Sequence, residues 1–198
     1  RRLTPLPRGM SEVTLAEWRA RLAHLVQVGT DRWNLALGPP YVGPQLSYVA
    51  PGRTEDGAAV VLKLQFPHRE AEHEAEALRR WDGDGAIRLL DADPEHHALL
   101  LECAEPGTPL AATDEATGDA ALDVLVGLLP RLWVPAGPPF ATLRAEAARW
   151  CAHLGDPSRT AHLDAALVAH AVGVLGELGP SVTEEVLLHQ DLHGGNVL

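Results

Sequence analysis

Leu188-His189-Gln190-Asp191-Leu192-His193-Gly194-Gly195-Asn196-Val197-Leu198 closes the chain, with the spacing H-x-D-x-x-x-x-N. The apolar stretch before it, Glu185-Val186-Leu187-Leu188, predicts a strand that leads to a carboxylate at Asp191. A Gly-Gly bend, where the backbone is least restricted, then leads to a carboxamide at Asn196. Phosphoryl transfer needs an acceptor beside the attacking hydroxyl and an oxygen ligand close by for Mg²⁺ on the phosphates. Asp191 and Asn196 offer that pair of groups. Two other readings of the same residues stand beside this one. His189, Asp191 and His193 form an H-x-D-x-H set of the kind that binds zinc or iron in hydrolases, although Gln190 stands where a helical zincin carries Glu. The run is also compatible with a solvated surface turn. A phosphoryl-transfer site calls for a lysine on a strand and a glutamate on a helix upstream; a metallohydrolase does not.

Upstream, Ala59-Val60-Val61-Leu62-Lys63-Leu64-Gln65-Phe66 is rich in β-formers and predicts a strand with Lys63 inside it. A lysine there either snorkels to water or meets a partner. The helix predicted over 68–81 arranges its charges unevenly. Glu72, Glu76 and Arg80 step by four along one face and need only water and each other. Glu74 shares the apolar face with Ala71, Leu78 and Trp81, where an unpaired carboxylate is costly. Lys63, on the preceding strand, is the nearest cation in sequence, and the alternative is a solvated Glu74 at the rim.

The remaining elements follow from local signals. Thr14-Leu15-Ala16-Glu17 is a capping box, and Leu15, Trp18, Leu22 and Leu25 recur at helical spacing, so a helix is expected from about 12 to 28, ended by Gly29. Trp33–Leu37 and Ser47–Ala50 predict two short strands joined by a connection rich in Gly and Pro. That connection, with Gly43 and the following Ser47, is a candidate phosphate-covering loop, but Pro39, Pro40 and Pro44 remove donors and an ordinary β-turn is the better local reading. Residues 51–58 predict a hairpin turn. Strands are expected at 87–90 and 97–101, antiparallel and joined by a turn over 91–95. Glu102-Cys103-Ala104-Glu105-Pro106-Gly107 then breaks the pattern and marks a boundary, either a connector whose backbone pairs with an adenine or a plain turn. Beyond it helices are expected at about 114–130, 140–154 and 159–178, the last with Leu163, Leu167, His170, Val174 and Leu178 on one side.

A chain of 198 residues, 46% hydrophobic and 22% charged, has room for one substantial core or for a small lobe and a larger one. Its formal charge of -11 argues against a nucleic-acid backbone as main partner and would steer cationic small molecules modestly, although simple solubility is the better account of it. Cys103 and Cys151 lack metal-ligand spacing and are expected as packed thiols in a reducing cytoplasm. No apolar run reaches membrane-spanning length, and no signal peptide is visible at Arg1-Arg2-Leu3-Thr4-Pro5.

Taken together, the order of elements resembles the α+β protein-kinase-like bilobal fold. Within it, the chain is similar to the aminoglycoside phosphotransferases, in the streptomycin 6-phosphotransferase and hydroxyurea phosphotransferase branch. The likeness is carried by Val61-Leu62-Lys63-Leu64, Pro67-His68, His73-Glu74, Leu78-Arg79-Arg80-Trp81-Asp82-Gly83, Arg88-Leu89-Leu90-Asp91-Ala92, Leu100-Leu101-Glu102, Glu105-Pro106-Gly107-Thr108 and the terminal loop. It spans about residue 30 to the end. The resemblance implies an N-terminal helical extension over 1–30, an antiparallel-sheet N-lobe over 31–104 and a mainly helical C-lobe over 105–198. It implies ATP and Mg²⁺ as cofactors and a small hydroxylated acceptor, such as a cationic aminoglycoside. By the same resemblance Lys63 holds ATP phosphates, Glu74 orients Lys63, and Glu102, Cys103 and Ala104 meet adenine. Asp191 accepts the substrate proton, Asn196 binds Mg²⁺, His189 braces the loop and His193 lines the acceptor site. A nucleotide-binding module without transfer activity is the non-enzyme alternative. Gln190 stands where the family usually has glycine, and the phosphate loop is unusually rich in proline. The aspartate that supplies the main Mg²⁺ ligand, and the remaining substrate-binding helices, are expected beyond Leu198.

Overall fold

The computed structural model describes residues 13–43, 45–69, 71–113 and 119–198. Residues 1–12 of the expected extension, Pro44 of the hairpin connection, Glu70 of the expected second helix and 114–118 of the expected third lie outside the described residues. The chain is α+β and divides into two compact units. One runs to Leu132 and takes up His189–Leu198 again; the other is Trp133–Leu188.

The first unit is built on a five-stranded antiparallel sheet in the order β1-β2-β3-β5-β4. Its strands are β1 (Ala36–Leu37), β2 (Ser47–Arg53), β3 (Ala59–Gln65), β4 (Leu89–Asp93) and β5 (Ala98–Glu102). Alternation along β3 divides its side chains between the two faces. Val60, Leu62 and Leu64 are almost wholly buried and join Trp18, Leu25, Leu35, Phe66, Ala98 and Leu100 in one core. That core is closed by α1 (Leu15–Trp33), whose expected capping box forms: Glu17 N–H donates to Thr14 Oγ1 at 3.2 Å and Thr14 N–H to Glu17 Oε2 at 2.7 Å. Val61, Lys63 and Gln65 point to the opposite face, beside Leu101, Leu99 and Ser47, their partners in register.

Several boundaries differ from the expectation, each for a local reason. α1 does not stop at Gly29 but runs to Trp33 and ends at Asn34 in the left-handed region. Gly29 serves packing instead, since a Cβ there would lie 3.1 Å from the Leu62 side chain. Trp33 is therefore helical rather than the start of β1, and its indole donates to Asp91 at 2.7 Å. β2 continues through Pro51 and Gly52, which were expected in a turn. Pro51 costs no lost pairing on its carbonyl side, where Gly38 N–H donates at 2.8 Å. β4 runs over 89–93 rather than 87–90, with a register shift between Leu89 and Asp91 that moves the turn closer to β5. α2 is shorter than expected, Glu74–Trp81 rather than 68–81, and the residues described before it form turns. Of the charged face predicted for it, Glu76 and Arg80 pair at 3.1 Å, while Glu72 precedes the helix.

After β5 come a single 3₁₀ turn, Leu110–Ala112, and α3 (Asp119–Leu132). α3 extends past Pro130, where an end was expected: so near the terminus, the missing N–H interrupts only the last turn. The second unit holds α4 (Leu143–Leu154), the short α5 (Pro157–Thr160) and α6 (Ala165–Ser181). The single helix expected over 159–178 is thus two, because Asp164 caps a new one by accepting from Leu167 N–H at 2.9 Å. α4 packs on α6 where Gly179 lies against Arg144 and Ala147. Leu163, Leu167, Val174 and Leu178 of the expected stripe are exposed, and Leu163 precedes α6. The strand expected at 185–188 is only an isolated bridge, Pro135 opposite Val186. Leu187 N–H to Val134 O at 2.8 Å and Ala136 N–H to Glu185 O at 3.0 Å flank it. Pro135, Pro138 and Pro139 deprive the facing segment of the donors a longer ladder requires.

Candidate active site

The site grows from the second face of β3. Lys63 and Gln65, two residues apart, project on one side of the strand toward the first residue of α2. Lys63 Nζ donates to Glu74 Oε1 at 2.6 Å, with the two side chains 25% and 28% exposed. This is the pair expected from the sequence. Gln65, itself buried, donates through Nε2 to the other oxygen of the same carboxylate, Glu74 Oε2. Each oxygen of Glu74 therefore has its own donor. Nothing in the sequence reading singled out Gln65, although the two-residue spacing from Lys63 was available as a signal.

At the other end of α2, Trp81 is buried and donates from its indole N–H to Leu132 O at 2.9 Å. Its ring stacks on His189 with centroids 6.0 Å apart, which places the start of the terminal loop against α2. Burial holds the His189 imidazole below its ordinary pKa, Asp191 and Glu74 pull it upward, and His193 and Lys63 push it further down. Asp191 N–H donates to His189 Nδ1 at 3.3 Å, so the neutral ring carries its proton on Nε2.

The loop itself is bonded internally. Asn196 Nδ2 donates to Asp191 O and to Asp191 Oδ2, both at 2.9 Å, and His193 Nε2 lies 3.7 Å from Asp191 Oδ1. Gly195 N–H donates to His193 Nδ1 at 3.0 Å and Asn196 N–H to His193 O at 2.8 Å. Two backbone bonds fasten the loop to the 3₁₀ turn after the connector: Leu110 N–H to Val197 O and Ala111 N–H to Gly194 O, both at 2.8 Å. Gly194 allows this approach, because a Cβ there would sit 3.3 Å from Ala111 N. The Asp191 side chain is 76% exposed. Asp191, Asn196 and His193 are therefore brought together.

Gln190 adopts φ 67°, the left-handed conformation that glycine enters freely and other residues enter at a cost. Replacing Gln190 with Gly is expected to raise unfolding stability by about 0.5–1 kcal/mol, the relief of left-handed strain less the extra chain entropy of glycine. Denaturant titration of the full-length protein checks this, and a lowered midpoint would contradict it.

The connector shows a further contact that the sequence reading missed. Glu102 N–H donates to Arg88 O at 3.0 Å, and Glu102 Oε1 accepts from Arg88 N–H at 2.6 Å. Glu102 is thereby engaged with Arg88 on both its amide and its carboxylate. Gly107, at φ 65°, closes the turn where a Cβ would come within 2.6 Å of Ala104 O. Cys103 is a half-buried free thiol. Ser47 stands opposite Gln65 in register, whereas Gly43 is exposed at φ 136°, with no atom within 4 Å of a Cβ position. As for the H-x-D-x-H reading, no group of three or more His, Cys, Asp or Glu among the described residues is arranged to hold a metal ion. The Nδ1 atoms of His189 and His193 both accept backbone N–H groups instead.

A family model described as aminoglycoside/hydroxyurea antibiotic resistance kinase matches residues 32–198. The chain belongs to this family. It is 38% identical over 191 residues to a streptomycin 6-kinase of Streptomyces glaucescens and 37% identical over 191 residues to one of Streptomyces griseus. Each of these alignments covers 91% of this chain and 59% of the relative. A hydroxyurea phosphotransferase of Kitasatospora aureofaciens is 35% identical over 172 residues, covering 85% of this chain and 50% of that protein. The chain thus spans no more than 59% of the length of these curated relatives. The family match includes β3, α2, the connector and the terminal loop, so every candidate residue named above falls within it. Among the described residues no helix is long and apolar enough to cross a membrane.

Proposed function

We propose that the protein to which this chain belongs is an ATP-dependent phosphotransferase acting on a hydroxyl of a small-molecule antibiotic, most simply an aminoglycoside such as streptomycin, in the cytoplasm. The observation that carries the reading is His189: a single ring that stacks on Trp81 of α2, the helix whose first residue pairs with Lys63, and that accepts from Asp191 N–H. In this reading the fold is kinase-like and bilobal, with the N-lobe over 31–104 and the C-lobe over 105–198. Lys63 neutralises the nucleotide phosphates and Glu74 keeps its ammonium aimed at them. The backbone of Cys103 and Ala104 receives the adenine, while Glu102 shapes the connector through Arg88. Asp191 accepts the proton of the acceptor hydroxyl as its oxygen bonds to the γ-phosphorus and the β–γ bridging bond breaks, leaving ADP. His193, 3.7 Å from Asp191, lines the acceptor side.

For Mg²⁺ the donor set fits in part. Asn196 reaches Asp191 through Nδ2, which leaves its carboxamide oxygen as a hard ligand next to a carboxylate, and Mg²⁺ is bound through few protein oxygens plus phosphates and water. When bound, the ion would neutralise charge developing on the phosphates. The net charge of -11 favours a cationic acceptor. The relatives named as streptomycin kinases and as a hydroxyurea phosphotransferase make those two compounds the first acceptors to try. Full-length protein incubated with ATP, Mg²⁺ and streptomycin is expected to yield phosphorylated streptomycin by mass spectrometry. Failure to phosphorylate streptomycin, hydroxyurea or any member of a panel of hydroxylated antibiotics would end the proposal.

A further inference from the structure

We propose that Gln65 is a positioning residue for phosphoryl transfer, which holds Glu74 from the side opposite Lys63 so that the carboxylate, and with it the ammonium, keeps one orientation. The inference rests on the function proposed above. A carboxylate turns about a broad, two-fold terminal torsion, and a single ammonium partner does little to fix its plane. Glu74 has two partners from one strand, Lys63 on Oε1 and Gln65 on Oε2. Because both project from the same face of β3, the strand fixes the spacing of the two donors before Glu74 arrives. Glu74 is also the first residue of α2. The two-pronged contact therefore ties the first residue of the helix to the sheet.

Burial makes this a specific device rather than an incidental contact. Gln65 is 5% exposed, in a strand whose other buried members, Val60, Leu62 and Leu64, are all apolar. A buried amide is tolerated where its hydrogen-bonding groups are used, and here it donates to a charged acceptor, the stronger class of hydrogen bond. Its backbone N–H is independently held by His97 O at 2.9 Å, so β3 keeps its place whatever side chain stands at 65.

The test uses Gln65→Met in the full-length protein, a change that keeps length and volume and removes the donor. The expected result is a fall of about tenfold in kcat/KM for ATP, the scale of one charge-assisted hydrogen bond, with the KM for the acceptor unchanged. In a Glu74→Ala background, which removes both acceptor oxygens, the same substitution is expected to have little further effect. A merely structural role would give the same loss in both backgrounds and would lower activity without regard to nucleotide concentration. Wild-type transfer with Gln65→Met kinetics equal to wild type, or losses that simply add to those of Glu74→Ala, would overturn the inference alone. Absence of transfer by the wild-type protein would overturn the functional reading and this inference with it.

Discussion

Asp191→Asn is expected to lower kcat by about 10²–10⁴-fold, the range attributable to a positioned general base. Of all single changes it isolates chemistry from architecture most cleanly. An asparagine retains an oxygen that can accept from Asn196 Nδ2, and the bond from that amide to the backbone carbonyl of residue 191 does not depend on the side chain. The stack of His189 on Trp81 and the two backbone bonds to Leu110 and Ala111 are also untouched. The thermal midpoint and the KM for ATP should therefore stay close to wild type while turnover collapses. Steady-state kinetics with the acceptor in excess would show it. Turnover within a few-fold of wild type would remove Asp191 from the role of proton acceptor.

Lys63→Met is expected to act on the nucleotide instead, lowering kcat/KM for ATP by about 10²–10³-fold, the scale seen when one preorganised donor to developing charge is removed. Methionine fills the path of the aliphatic stem beside Val49 and Leu99, the neighbours of Lys63 in register, so the sheet should be preserved. What is lost is the charge that bonds Glu74 at 2.6 Å. Lys63→Arg is expected to restore little, because a guanidinium is broader than an ammonium and cannot occupy the same point between a carboxylate and a phosphate. Nucleotide titration by calorimetry, alongside kinetics, distinguishes weakened ATP binding from slowed transfer. An Lys63→Met protein with unchanged ATP dependence would exclude the phosphate role.

The parts of the site that sequence could reveal are those in which chemistry and periodicity conflict. Glu74 stood out because it occupied the apolar side of a helix whose other acids were ordered along the polar side, and Lys63 because it interrupted a run of β-branched and aliphatic residues. The structure joins them. Gln65 escaped notice because a neutral amide at the end of a strand raises no such conflict, and its use becomes visible only when Glu74 is brought to it. Trp81 read simply as a core anchor. Its link to His189 depends on two segments far apart in sequence, which no local pattern encodes. Boundaries failed where tertiary packing gave a residue a second use: Gly29 admits Leu62 instead of ending a helix. The strand expected at 185–188 failed for a different reason, since its apolar pattern was sound but the facing segment around Pro135 had too few amides to pair with it.

Trp81 has one more consequence. Its indole nitrogen holds Leu132, the last residue before the chain departs into the second unit, and its ring holds His189, the first residue after the chain comes back. Departure and return are thus pinned at a single side chain, like both ends of a thread under one thumb. The entropy of bringing those ends together grows only slowly with the length of the intervening thread. Residues 133–188 are consequently the stretch in which evolution or an engineer has most latitude to lengthen, shorten or exchange sequence while Asp191 stays where it is.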